Sequence, residues 1–148
     1  MTSVEVVPSE GGGWSDSAVE VRVPAQVDQL AVIRAAVATV GAAFDLTVDG
    51  IADARLAVDE ACTKLIRVSS PGATLECRMG GHPRHLVLRC VTTIVGDDPF
   101  LGHGLSWYIL QSVSTDLSAG SGPSERDPAM RTAWIELSID TGVDRRAE

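Results

Sequence analysis

The chain has 148 residues, of which 45% are hydrophobic and 22% charged, and this composition is typical of one globular domain with a single core. Its formal charge of −8 argues against binding nucleic acid through the phosphate backbone. No apolar run approaches the roughly 20 residues of a membrane-spanning helix, and the N-terminus lacks the features of a signal peptide. We therefore expect a cytoplasmic protein with no direct nucleic-acid or membrane partner.

The composition along the chain divides it into three parts. Residues 1–16 contain three consecutive glycines among polar neighbours and are predicted to form a flexible tail. Residues 17–140 carry the hydrophobic patterning of one domain, and residues 141–148 are polar and are predicted to fray.

The domain begins with a predicted strand and helix. Residues 18–23 alternate between valine and polar side chains, which predicts a half-buried strand. Apolar residues at helical spacing over 27–40 predict a helix that ends at Gly41. Arg34 lies away from the apolar stripe of this helix, so we expect it to face solvent or a partner.

The stretch 51–67 is the predicted central helix, with Asp49 as its candidate N-cap. Leu56 and Ile66 broaden its apolar stripe, which consists of Ile51, Val58, Cys62 and Leu65. Glu60 and Lys64, the latter the only lysine in the chain, stand on this helix at i, i+4 spacing. One interpretation is an exposed ion pair worth a few tenths of a kcal/mol. The other is a functional site.

Five further elements are predicted after a Ser-Ser-Pro-Gly break. Residues 74–79 and 85–91 are predicted to form a β-hairpin. A short helix over 105–113 is predicted to carry Leu105, Ile109 and Val113 on one face. Strands are predicted to start at Asp116 and to cover residues 131–139.

The loop before the short helix, residues 95–104, contains two acids and a Gly-x-Gly. Asp97 and Asp98 precede Gly102 and Gly104, which stand directly at the helix N-terminus. Backbone amides there favour an anion. A tight turn that brings the chain close to the helix explains the same glycines.

The three cysteines are an odd number without the spacing of a metal site. Cys77 and Cys90 are predicted in neighbouring strands. They are interpreted as small buried residues, with a redox-responsive pair as the alternative.

Helices and strands do not alternate strictly along the chain, which disfavours a doubly wound parallel sheet. The predicted fold class is α+β: a two-layer sandwich of one mixed, mainly antiparallel sheet with about three helices on one face.

Three segments resemble the GHKL (Bergerat-like) ATPase fold, and more narrowly the anti-sigma factor and serine-protein kinase family of the RsbW and SpoIIAB type. VEVRVPAQVDQLAVIRAAV is similar to its first strand and helix, RLAVDEACTKLI to its N-box, and GHGLSWYILQSVSTDLS to its second glycine box. Within this family, the chain resembles the mycobacterial type that controls a general-stress sigma factor. The resemblance implies a homodimer whose partners are an alternative sigma factor and a STAS-type anti-anti-sigma factor.

The resemblance also implies roles for individual residues. Glu60 matches the family's general base, and Lys64 occupies the position of its magnesium-binding asparagine. Asp97 or Asp98 matches the adenine-reading aspartate, although the first glycine box and the lid after it are lost. The nucleotide-binding residues implied in this degenerate site are Glu60, Lys64, Asp97, Asp98, Gly102 and Gly104.

Two functions follow from the resemblance. The preferred one is an anti-sigma factor with weak or no kinase activity, in which Arg34 aligns with a partner-contacting arginine. Because an ammonium cannot ligate a divalent cation, no cofactor is expected, although the family itself implies ATP and Mg²⁺. The alternative is an active serine-protein kinase with Glu60 as catalytic base.

Overall fold

The computed structural model describes residues 2–8, 17–82 and 84–140. The strands are β1 (Ser3–Pro8), β2 (Ser17–Pro24), β3 (Thr74–His82), β4 (His85–Ile94), β5 (Asp116–Pro123) and β6 (Arg131–Asp140). The helices are α1 (Leu30–Ala43), α2 (Val48–Val68) and α3 (Gly104–Val113), and a 3-10 turn at Val27–Gln29 precedes α1. The strands form one sheet in the order β1-β2-β3-β4-β6-β5, with the helices packed on one face.

All the strand pairs of this sheet are antiparallel. The α+β two-layer architecture is therefore confirmed, and the prediction of a mixed sheet is corrected. The β3–β4 hairpin forms as predicted. The sheet stays antiparallel beyond it because α3 carries the chain from β4 to the far edge, where β5 pairs with β6.

The first strand lies in the segment that was predicted to be a flexible tail. Val4 and Val6 alternate with Glu5, and they pair with Val21 and Val19 of β2. The strand was missed because the glycines that follow it suggested disorder for the whole segment. The rest of that predicted tail, residues 9–16, and the predicted C-terminal tail, residues 141–148, lie outside the described residues.

Gly41 does not end α1, which continues to Ala43. It is buried where α1 meets the start of α2, and a Cβ there would lie 3.4 Å from the side chains of Leu46 and Ile51. This glycine thus serves close packing between the two helices rather than termination of the first.

The central helix begins earlier than predicted, because Thr47 and not Asp49 is its N-cap. The Thr47 hydroxyl accepts a hydrogen bond from the amide of Gly50 at 3.0 Å, which satisfies one of the unpaired amides of the first turn. Leu56 is 42% exposed, so the buried face of α2 is narrower than predicted. The fully buried residues of that face are Ala54, Ala57, Val58, Ala61, Cys62 and Leu65.

The two faces of the sheet differ in chemistry. The face under the helices is apolar, and α2 lies over β4 and β6 at its centre. The opposite face carries a cross-strand row of charged residues, in which Glu5, Glu20, Arg78, Arg89 and Glu136 are successive partners. The residues with predicted functional roles on α2 and α3 therefore belong to the helical layer.

Candidate functional site

Among the predicted site residues, Lys64 links α2 to the segment at the start of α3. Glu60 and Lys64 are half-buried on α2. The Lys64 ammonium donates one hydrogen bond to the carbonyl oxygen of His103 at 2.9 Å and another to the Ser106 hydroxyl at 3.0 Å. The side chain therefore reaches the Gly-x-Gly segment, rather than serving only as the predicted exposed partner of Glu60.

The surroundings of Lys64 disfavour the charged form of its side chain. Burial lowers its pKa, the nearby guanidinium of Arg67 lowers it further, and the carboxylate of Glu60 acts in the opposite direction. The ammonium is a hydrogen-bond donor without a lone pair, so at this position it can hold acceptors but cannot ligate a metal ion.

The Gly-x-Gly stands at the start of α3, as predicted from the sequence. Gly104 is the first helical residue and has φ +86°, a conformation that favours glycine. Gly102 does not share this need, because a Cβ there would make only ordinary contacts, at 3.6 Å or more, with Trp107. His103 is the N-cap residue, and its ring nitrogen Nδ1 contacts the carbonyl oxygen of Phe100.

The two acids of the loop are exposed, and one of them shapes it. The carboxylate of Asp98 accepts a hydrogen bond from the amide of Phe100 at 3.0 Å, while Asp97 is exposed. Phe100 adopts φ +51°, which is unusual for a bulky residue. Asp98 therefore supports the turn through the backbone of Phe100.

Large apolar side chains are exposed around this turn. We call them the α3 surface: Val95, Phe100, Leu105 and Tyr108. Leu105 is 75% exposed, and Leu110 is the residue of α3 that faces the core. Leu105 and Tyr108 are three residues apart and therefore share one side of α3.

Arg34 lies at the interface of α1 and α2 and not simply in solvent. Its Nε atom is 3.1 Å from the Asp59 carboxylate, and both side chains are about two-fifths exposed. The guanidinium therefore stays accessible while it bridges the two helices. The sequence offered no signal for this pair because its members lie on different helices.

The cysteines form a buried group of three rather than a pair. Cys77 and Cys90 are direct cross-strand partners, as predicted. Cys62 of α2 joins them, with its sulfur 3.6 Å from that of Cys77 and 3.8 Å from that of Cys90. The contribution of the helix was not predicted, because it depends on how α2 sits on the sheet.

A separate feature lies on the open face of the sheet. A cavity of about 560 Å³ is bounded there by β2, β3, β4 and the β5–β6 loop. Arg126 of that loop reaches across it and pairs with Glu76 at 2.6 Å. Glu20, which is 8% exposed, pairs with Arg22 at 2.6 Å.

Among the described residues, no helix has the length and apolar character required to cross a bilayer.

Comparison with known proteins gives consistent results. Residues 23–123 match the family described as histidine kinase-like ATPase domain. Two curated relatives are both named anti-sigma-F factor RsbW, one from Mycobacterium tuberculosis strain CDC 1551 / Oshkosh and the other from strain ATCC 25618 / H37Rv. Each is 34% identical over 140 residues, which cover 95% of this chain and 83% of the relative.

Proposed function

This chain belongs to the histidine kinase-like ATPase domain family, and from that premise we propose that it is an anti-sigma factor. It sequesters an alternative sigma factor of the general-stress class until a STAS-type anti-anti-sigma protein releases it. It acts in the cytoplasm as a homodimer. The proposal is supported by the curated relatives, whose printed names describe anti-sigma-F factors.

The observation that carries the proposal is the α3 surface. Its four side chains are 68–79% exposed, although each would contribute favourably if it were buried. Single exposed apolar residues are ordinary, but a group of them around one loop marks an interaction surface. The strained backbone of Phe100 also supports an interaction surface here, since such strain concentrates at functional sites.

In this proposal the ancestral nucleotide site does not hold magnesium-ATP. The donor set does not fit a magnesium ion, which requires oxygen ligands, because Lys64 presents an ammonium already bonded to His103 and Ser106. Phosphoryl transfer depends on positioning and on metal electrostatics. Without a metal ligand at this position, we expect weak or no kinase activity.

The second candidate is a working serine-protein kinase, and the observation in its favour is that Glu60 is kept, half-buried, one turn before Lys64. In that case Glu60 acts as the base, and Lys64 leaves His103 to bind phosphate. Calorimetric titration with ATP and magnesium, followed by labelled-phosphate transfer to an anti-anti-sigma protein, separates the two. Saturable binding and transfer that are lost in Glu60→Ala would establish the kinase instead.

The anti-sigma proposal is tested by capturing the sigma factor on tagged protein in the native lysate. We expect Leu105→Asp to reduce the recovered sigma factor at least tenfold, because it places a charge in the α3 surface. The matched control is Val48→Asp, at an 85% exposed residue in the first turn of α2. A carboxylate there favours the helix dipole, and recovery should not change.

Two results would count against the proposal: no sigma factor recovered by the wild-type chain, or equal losses in both variants. Circular dichroism establishes that the variants are folded. Light scattering tests the dimer, which should give twice the chain mass of 15.6 kDa.

A further inference from the structure

The cysteine group lies in the middle of the core, between the two layers. Cys77 and Cys90 face the helices from adjacent strands, and Cys62 lies over them from α2. All three side chains are at most 2% exposed. Their sheet neighbours in the same cross-strand row are Val21 and Ile135, so the surroundings are dry and apolar.

The three sulfur atoms form a compact triangle. All lie within 4.8 Å of one another, with separations of 3.6 Å from Cys62 to Cys77 and 3.8 Å from Cys62 to Cys90. The centre of such a triangle is roughly 2–3 Å from each corner, which brackets the thiolate–metal bond of about 2.3 Å seen for zinc. A metal ion at the centre would reach all three sulfurs with little movement of the backbone.

From this geometry we propose that Cys62, Cys77 and Cys90 form a three-coordinate site for a copper(I) ion. Soft thiolate ligands select Cu(I), Zn(II) or iron–sulfur clusters. Structural zinc sites have four ligands, whereas the cluster among the described residues consists of these three cysteines alone.

Metal binding to cysteine requires the thiolate form of the side chain. Each thiolate formed on binding releases one proton to solvent, and because copper arrives as Cu(I), no electron is transferred.

Copper binding would join α2 to β3 and β4 through the core. A ligand that binds only the folded state stabilises it, and metal binding at preformed cysteines couples to folding. Because the sulfurs are buried, we expect the ion to enter during folding or through transient opening of α2, and not by simple addition to the native protein.

The test uses the full chain, reduced and refolded without oxygen in the presence of Cu(I) and a competing chromophoric chelator. We expect one copper per chain, a raised midpoint of thermal unfolding, and an X-ray absorption spectrum with only sulfur neighbours at about 2.3 Å. Cys62→Ala should abolish the stoichiometric copper. Val58→Ala truncates a buried residue one turn away on the same face of α2 and should retain it.

The proposal is overturned if refolded wild-type protein takes up no copper, if nitrogen or oxygen neighbours dominate the spectrum, or if Cys62→Ala keeps its copper. It is also overturned if Zn(II) binds stoichiometrically through the cysteines and Cu(I) does not. Should Cys62→Ala fail to fold, the wild-type spectrum and stoichiometry decide alone. None of these readouts depends on the sigma factor, so this inference stands or fails separately from the proposed function.

Discussion

The ammonium of Lys64 lies 3.0 Å from the hydroxyl of Ser106, and this contact joins α2 to the first turn of α3 across 42 residues of sequence. A second bond from the same nitrogen, to the carbonyl of His103, holds the residue before that turn. The single lysine of the chain thus links the two helices that carry the candidate site.

Replacing Lys64 by methionine should loosen the start of α3. The variant keeps an unbranched side chain, one atom shorter, but removes two hydrogen bonds, each worth about 0.5–1.5 kcal/mol. We expect the free energy of unfolding to fall by about 1–3 kcal/mol and amide hydrogen exchange over residues 102–106 to accelerate. Arg55→Met, at an exposed position of the same helix, is the control. Unchanged exchange in the Lys64 variant would show that the link does not restrain α3.

The lowered pKa of Lys64 predicts a dependence of stability on alkaline pH. Folding disfavours its charged form, so between the lowered pKa and the ordinary lysine value the unfolded chain binds more protons. The contribution of Lys64 to the free energy of unfolding should therefore increase as pH rises through this window. Urea titrations at several alkaline pH values, with Lys64→Met subtracted, measure it. A difference that falls with pH would have the wrong sign.

The two glycines before α3 should differ in their tolerance of alanine. Gly104→Ala must place a Cβ on a residue with φ +86°, which costs about 1–2 kcal/mol. Gly102→Ala meets only ordinary contacts with Trp107 and should be close to neutral. Chemical denaturation of the two variants side by side gives the comparison. Equal losses would mean that space around the glycines, and not backbone conformation, determines their presence.

The ion pairs of Glu20 and Arg126 on the open face of the sheet should contribute unequally to the free energy of unfolding. Glu20→Gln leaves Arg22 without its closest carboxylate in a buried setting, so we expect a loss of about 1–3 kcal/mol. Arg126→Ala removes a side chain that is 62% exposed, and its loss should stay below about 1 kcal/mol. Urea denaturation measures both. The reverse order would show that the β5–β6 loop stabilises the sheet more than the Glu20–Arg22 pair does.

Variants of Arg34 and Asp59 can separate a partner-binding role of Arg34 from a structural role of the ion pair. Its members are exposed enough that breaking the pair should cost no more than about 1 kcal/mol. If Arg34 contacts the sigma factor, Arg34→Ala should reduce sigma-factor capture severalfold, and Asp59→Ala, which leaves the guanidinium in place, should not. Equal losses of capture in both variants would assign Arg34 to helix packing alone.

Local patterns were sufficient for much of the fold. The periodicity of α2, the β3–β4 hairpin and the alternation of β6 all appear in the sequence, because burial of one face sets the spacing of apolar residues within an element. The boundaries of the elements were predicted less accurately. Thr47 and Asp49 are both capable N-caps, and only the position of the first helical turn selects Thr47.

The candidate site was predicted as a set of residues but not as an arrangement. The sequence placed Glu60 and Lys64 on one helix and the two glycines before another. It contained no sign that Lys64 would bond His103 and Ser106, which lie 39 and 42 residues away. Such contacts depend on how helices pack and not on spacing along the chain, so only the tertiary structure revealed them.

The sequence by itself thus determined the element types from β2 onwards, the helical layer over a sheet and the presence of the lysine in the N-box. The tertiary structure alone decided that all the sheet pairs of the described residues are antiparallel, that Arg34 meets Asp59, and that a helical cysteine completes a group of three. The physical reason is the distance along the chain over which each feature is set. Apolar periodicity is set within one helix or strand, whereas each of these relationships joins residues from separate elements.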